Sequence, residues 1–343
     1  MTGVALRARL GERGATGLRM LAVAVAYSLG AQVGLLIAVV RDQVTPLWPP
    51  TGVALVALLA WGLRIWPGIA VGALVVNVPM GPSWSAVGLI TLGNTVAPVA
   101  VYLLLRRTGF RSELNRLRDA LALVLFGTFA AMTISATAGA LALFSSGALP
   151  RDEIWSTWSV WWTGDAMGLL VVAPVLLVAR STRWPVFGGP YRWLEVVGLL
   201  AGTCVVTLLA THTPLPLLFL VFPFLIWAAL RFQQLGATPC ALIISIITIL
   251  AAVDETGPFE GLDLLPRMTV LQAFNGTVAL TGLLLAAITA ERDQAHRAIN
   301  RAVTQLADAL AQQHPDQSLL SSALFRTVRQ TDDPSTRRED PGT

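Results

Sequence analysis

Long apolar stretches, each bounded by arginines, aromatics or prolines, set the pattern of this chain. Runs of the roughly 17 to 25 residues needed to cross a bilayer occur at about 18–40, 85–105, 119–144, 155–179, 193–211, 214–230, 236–253 and 267–290, and predict long helices there. A further apolar pair fills 50–79 and is split near Leu63, Arg64 and Ile65. Each half is about 14 or 15 residues, only ~22 Å at the helical rise, so the pair is either two short tilted spans or a re-entrant hairpin. Either arrangement returns the chain to the side it left. The predicted fold class is all-α: a polytopic transmembrane helical bundle of eight long helices plus a short helical hairpin, about ten membrane segments.

Composition fixes the solvent. The chain has 343 residues, 55% hydrophobic and 13% charged, where soluble domains carry about a quarter charged residues. Its mean hydropathy is +0.66. A single soluble globule this apolar would lack polar surface, so lipid must solvate most of it. Two cysteines and a net charge of +4 support neither a secreted disulfide scaffold nor a nucleic-acid reader. All 24 basic residues are Arg, which reads as the codon usage of a GC-rich genome rather than as chemistry.

The arginines orient the chain. Arg7, Arg9, Arg13 and Arg19 precede the first span; alternate loops then hold Arg64, the group Arg106, Arg107, Arg111, Arg116 and Arg118, the group Arg180, Arg183 and Arg192, and Arg231. The opposite loops hold Arg41, Arg151 and Arg267, and the acidic stretch from Asp254 to Asp263. By the positive-inside rule the first set faces the cytoplasm, and an even number of spans puts both termini there. The first apolar run is too long for a cleaved signal peptide and no small-residue cleavage site follows it. The expected organisation is a cytoplasmic tail at 1–17, a membrane bundle at 18–290, a cytoplasmic amphipathic helix at 291–313 and a disordered tail at 314–343.

A polar side chain in hydrocarbon is costly and therefore informative. Asp165 is the one carboxylate well inside a span, about 15 Å from the end near Trp155 at the helical rise. Asn94, Gln272, Asn275 and Gln32 fall roughly 8 to 13 Å deep from the same side. Four helices thus place polar groups at one level of the outer half of the membrane, and predict a polar pocket open to the outside. Asn and Gln also serve as interhelical glue; a lone carboxylate fits that use less well. Pro98, Pro174 and Pro223 remove helical N–H groups and free the carbonyls four residues earlier, as suits backbone lining a cavity. At the hairpin mouth, Pro49 and Pro50 suit a first helical turn and Trp48 suits the interface. Thr51 sits where the positive helix end favours an anionic group, and Asn77 lies near the same mouth. Trp162 is close enough to Asp165 to line the pocket, while Trp155, Trp158 and Trp161 read as an interface belt. Gly68 with Gly72, and Gly164 with Gly168, are small-xxx-small pairs that permit close helix contact.

Several ordered segments carry a family likeness: Trp48-Pro49-Pro50-Thr51-Gly52; Gly62 to Gly68, continuing to Gly72 and Asn77; Gly93-Asn94; Trp161 to Gly168, continuing to Ala173-Pro174; Phe222-Pro223 through Phe232; Gly257-Pro258-Phe259; and Ala286-Ala287 to Glu291-Arg292. Together, over about residues 18–292, they resemble the first membrane-associated sensor (MASE) domain family of bacterial signalling proteins. The resemblance implies a sensory input module in a bacterial plasma membrane, usually fused after its last helix to a histidine kinase or a diguanylate cyclase. Only about 50 residues follow Ala290, too few for either output domain by size, and no Gly-rich nucleotide loop is present. The expectation is therefore a stand-alone form.

The leading expectation is a membrane sensory input module that binds an unidentified small molecule in an outward-facing pocket and signals through its last helix to a separate protein, a histidine kinase or a membrane transporter. The candidate ligand-binding residues are Asp165, Asn94, Trp48, Thr51, Asn77, Trp162, Gln272, Asn275 and Gln32. Ile299, Val303, Leu306 and Leu310 form a two-heptad apolar stripe that suits a homodimer, a docked partner or a membrane surface. A secondary transporter using Asp165 is the alternative, and a membrane-embedded enzyme the third. No catalytic constellation, metal set, cofactor motif or nucleic-acid partner is expected: His212, His296 and His314 lie in loop and tail, and Cys204 and Cys240 sit on different helices and pack as small apolar residues.

Overall fold

The computed structural model describes residues 3–38, 44–182, 190–213 and 215–313. The expected disordered tail at 314–343 with His314, and the loop arginines Arg41 and Arg183, lie outside them. Ten helices are present among the described residues: α1 (Gly3–Leu35), α2 (Pro49–Trp61), α3 (Trp66–Asn77), α4 (Trp84–Arg107), α5 (Leu117–Ser145), α6 (Arg151–Ser181), α7 (Pro190–His212), α8 (Leu218–Phe232), α9 (Gln234–Val253) and α10 (Leu264–Gln313). Seven of these contain a stretch long and apolar enough to cross a membrane, and α2, α3 and α8 are shorter apolar helices. The protein is an all-helical polytopic bundle.

One long helix predicted from the sequence is short. The run 214–230 folds as a 3-10 turn, Leu218–Val221, and an α-helix, Phe222–Phe232, of 11 residues. Pro223 therefore occupies a first helical turn, where its missing N–H costs nothing, rather than interrupting a helix. The next helix follows through Gln233 alone, at φ 52°, a left-handed conformation uncommon for a residue with a side chain.

The apolar pair packs on α1. A Cβ on Gly68 would meet the backbone of Met20, and one on Gly72 would fall 2.8 Å from the Tyr27 Cβ, so only glycine lets α3 approach this closely. The first turn of α2 lies against Gly30 and Gly34 of α1. Both short helices thus meet α1 between Met20 and Gly34, joined at one end through Gly62 and Arg64. Along α1, Val23, Tyr27, Ala31 and Gly34 recur at helical spacing and face inward, while Gln32 is exposed.

Helices α5 and α6 each contain a widened π-helical stretch, Leu123–Ala131 and Gly168–Val172. Such stretches are rare and recur at functional sites. Contacts divide the chain into two units, 1–288 and 289–343. The described part of the second is the remainder of α10, on which Ile299 and Leu306 are exposed.

Candidate ligand-binding pocket

Ahead of α2, residues 44–48 enter the bundle as non-helical backbone. Val44, Thr45, Pro46, Leu47 and Trp48 are all buried, which is unusual for non-helical backbone in a membrane unless it finds partners in protein or lines a cavity. It does both. The Trp48 N–H donates to the Gly164 carbonyl of α6 at 2.9 Å, and the Thr45 hydroxyl donates to the Leu47 carbonyl at 2.6 Å. Close approach depends on glycine: a Cβ at Gly164 would collide with the Thr45 carbonyl oxygen, and one at Gly168 with that of Trp48. Gly52 on α2 meets the backbone of Gly168 in turn.

This docking brings the start of α2 to Asp165. The Thr51 hydroxyl donates to Asp165 Oδ1 at 2.5 Å, and the positive end of α2 favours a carboxylate there. Asp165 is 2% exposed, and its Oδ2 makes no hydrogen bond, because the Ser135 hydroxyl close to the carboxylate donates to Asn94 instead. A charge-capable oxygen buried without a partner is costly, so it marks a place built to meet something else. Beside it, the Ser135 hydroxyl of α5 donates to Asn94 Oδ1 of α4 at 2.8 Å, and Trp161 Nε1 donates to Ser135 at 3.3 Å. The Tyr27 hydroxyl of α1 lies among Trp48, Asn94 and Asp165.

A narrow cavity of about 20 Å³ opens here and is walled by Thr45, Trp48, Asn77, Asn94, Trp161 and Asp165 with Val44, Met80 and Ile90. Val44 and Thr45 before α2, and Met80 between α3 and α4, line it at the end of these helices opposite Arg64, Arg106 and Arg107. Asn77 is held by its own helix, its Nδ2 donating to the Ala73 carbonyl at 2.8 Å.

Of the residues singled out from sequence, Trp48, Asn77, Asn94 and Asp165 line this cavity, and Thr51 binds Asp165 from its edge. The other four lie elsewhere. Trp162 turns the other way, its Nε1 donating to the Thr128 carbonyl of α5 at 3.1 Å and its ring stacking on Trp158 at 6.2 Å. Gln272 on α10 accepts from the Thr163 hydroxyl at 2.9 Å. Asn275 is fully buried with neither amide atom bonded and does not line the cavity. Gln32 is exposed on α1. Tyr27, Thr45, Ser135 and Trp161 belong to the site and were not predicted for it. Trp161 was legible in principle, since it precedes Asp165 by four positions and shares its helical face. Among the described residues no cluster of His, Cys, Asp or Glu could hold a metal.

The first unit is a helical bundle with a polar pocket at one end of its helices. The MASE1 family matches residues 19–293, and the chain belongs to this family of membrane-associated sensor domains. The chain is also similar to the probable diguanylate cyclase DgcE of Escherichia coli strain K12, at 24% identity over 226 residues, which is 62% of this chain and 19% of that protein. It thus spans about a fifth of the relative's length. No solved structure matches the chain.

Proposed function

We propose that this membrane sensor domain binds a small molecule at Asp165, from the outside of a bacterial plasma membrane, and passes the result through α10 to a separate signalling protein such as a histidine kinase. The observation that carries the reading is the unpartnered Oδ2 of Asp165 in the wall of an open cavity. The route outward is short. Thr163, two residues from Asp165 on α6, bonds Gln272 of α10, and α10 continues unbroken to Gln313. A ligand shifts such a system only by binding two helix arrangements unequally, and the hinge that can separate them is the π stretch Gly168–Val172 directly after Asp165.

Hydrogen exchange on the full chain in lipid nanodiscs tests this. Asp165→Asn keeps the shape of the side chain and removes its charge, and should change exchange over residues 291–309 of α10. Unchanged exchange there, with altered exchange confined to the pocket, would overturn the proposed route.

A secondary transporter is the second reading, favoured by one feature: non-helical backbone entering the bundle and meeting the N-terminal end of a short helix at a buried acid, as in broken-helix transport sites. Flux of a solute into proteoliposomes, lost in Asp165→Asn, would select it over the sensor.

A further inference from the structure

At the opposite end of the bundle from the pocket, the turn between α2 and α3 and the last turns of α4 surround a second cleft, with the end of α6 beside it. Gly62, at φ 80°, takes a backbone conformation that favours glycine and turns the chain so that Arg64 projects beside the end of α4. Arg64, Arg106 and Arg107 form one part of the cleft, and Trp61, Leu63 and Leu103 the other, around an open volume of about 590 Å³. Arg180 of α6 adds a fourth guanidinium, its Cζ 6.0 Å from the centre of the Trp61 ring. Arg106 is fixed in place: its Nη1 donates to the Tyr102 hydroxyl at 2.9 Å.

None of these four arginines forms an ion pair with a described carboxylate. The C-terminal ends of α2, α4 and α6 meet here, and each helix end contributes about half a negative charge. That is roughly 1.5 units against four positive ones, which leaves the cleft strongly cationic. The three apolar side chains are exposed, Trp61 at 39%, Leu63 at 42% and Leu103 at 45%. A free phosphate would use the guanidiniums and leave these bare. A molecule with a phosphate head and acyl chains would use both.

We propose that this cleft is a binding site for an anionic phospholipid, its phosphate on Arg64 and Arg107 and its chains along Trp61, Leu63 and Leu103. Planar guanidiniums suit bidentate phosphate contacts, and the arginine-bearing end of the bundle is the one the positive-inside pattern assigns to the anionic leaflet.

Native mass spectrometry of the purified full chain, offered equal amounts of phosphatidylglycerol and phosphatidylcholine in mild detergent, tests the site. The wild type should retain phosphatidylglycerol preferentially. Arg64→Gln combined with Arg107→Gln should weaken that preference by roughly 5-fold per arginine, about 25-fold for the pair. Arg64→Lys with Arg107→Lys keeps the charge but not the bidentate fork and should retain more of the preference than the glutamine pair and less than the wild type, which separates lost charge from lost fold. Arg192→Gln, an exposed arginine on α7, should leave it unchanged. The proposal fails if the wild type shows no preference, if the double glutamine variant matches it, or if Arg192→Gln lowers retention equally. It also fails if inorganic phosphate alone displaces the lipid, because the site would then read free phosphate.

Discussion

The backbone on either side of Asp165 is packed tightly at Gly164 and Gly168, and substitutions at its neighbours separate packing from chemistry. A methyl group at Gly168 would collide with the Trp48 carbonyl, whereas one at Gly198 on α7 meets nothing within 4 Å. Gly168→Ala should therefore destabilise the bundle by about 1–3 kcal/mol, the usual cost of forcing extra volume into a packed site. Gly198→Ala should be neutral or stabilising by up to ~1 kcal/mol through helix propensity. Thermal unfolding in detergent, compared side by side, checks both. Thr51→Val removes the donor to Asp165 Oδ1 and leaves both carboxylate oxygens unbonded, which should cost about 1–3 kcal/mol; Thr51→Ser should restore most of it in the same melt. Asp165, Asn94 and Asn77 were legible in the sequence because a polar group inside an apolar helix has few explanations. Gln32 and Trp162 do not line the cavity, because depth follows from the helical rise, but facing depends on which neighbour the helix packs against. Tyr27 and Gln32 are five residues apart on α1, about 140° around the helix, so the burial of one turns the other out.

Helix positions and lengths were legible where hydropathy alone decides them, as at α4, α5 and α9. Short elements were not. Val44–Trp48 carries Pro46 and Trp48 beside Pro49 and Pro50, a composition that reads as a loop at the membrane surface. Its burial is set by Gly164 and Gly168, more than a hundred positions later. The widened turn at Gly168–Val172 was hidden for a related reason. Pro174 announces a missing N–H, but whether the helix kinks, breaks or widens depends on what the freed carbonyls and neighbouring backbones meet. The contact between α6 and α10 gives a prediction at this scale. Gln272→Leu removes the acceptor of the Thr163 hydroxyl, which still bonds the Ser159 carbonyl at 2.7 Å. The stability loss should be small, about 0.6 kcal/mol as for an average interhelical hydrogen bond in a membrane. Its effect on communication should be larger: in the Gln272→Leu background, Asp165→Asn should no longer alter hydrogen exchange over 291–309. A retained effect would mean the two helices are coupled by packing rather than by this bond.

For the molecule as a whole, the two openings lie at opposite ends of one bundle, and their chemistry differs in sign. The pocket has a carboxylate at its wall and acidic segments among the loops of its end, including Glu255, which pairs with Arg267. The other cleft holds arginines without carboxylate partners. Since a membrane protein's arginines gather on the cytoplasmic side, the two openings should face different compartments, and this is measurable without knowing any ligand. In a background where Cys204 and Cys240 are replaced by alanine, Met80→Cys at the pocket mouth should react with a membrane-impermeant thiol reagent added outside intact cells. Arg107→Cys should react only after the membrane is opened. A cysteine at Asn77, 7% exposed beneath the mouth, should react more slowly than one at Met80, because the narrow cavity slows the reagent. Should Arg107→Cys be the one labelled from outside, the orientation would be inverted, and the carboxylate at Asp165 would face the cytoplasm and its solutes. If both sites react from the same side, the pair α2 and α3 cannot carry the chain between the two faces as placed here, and the pocket would have to be reached by another path.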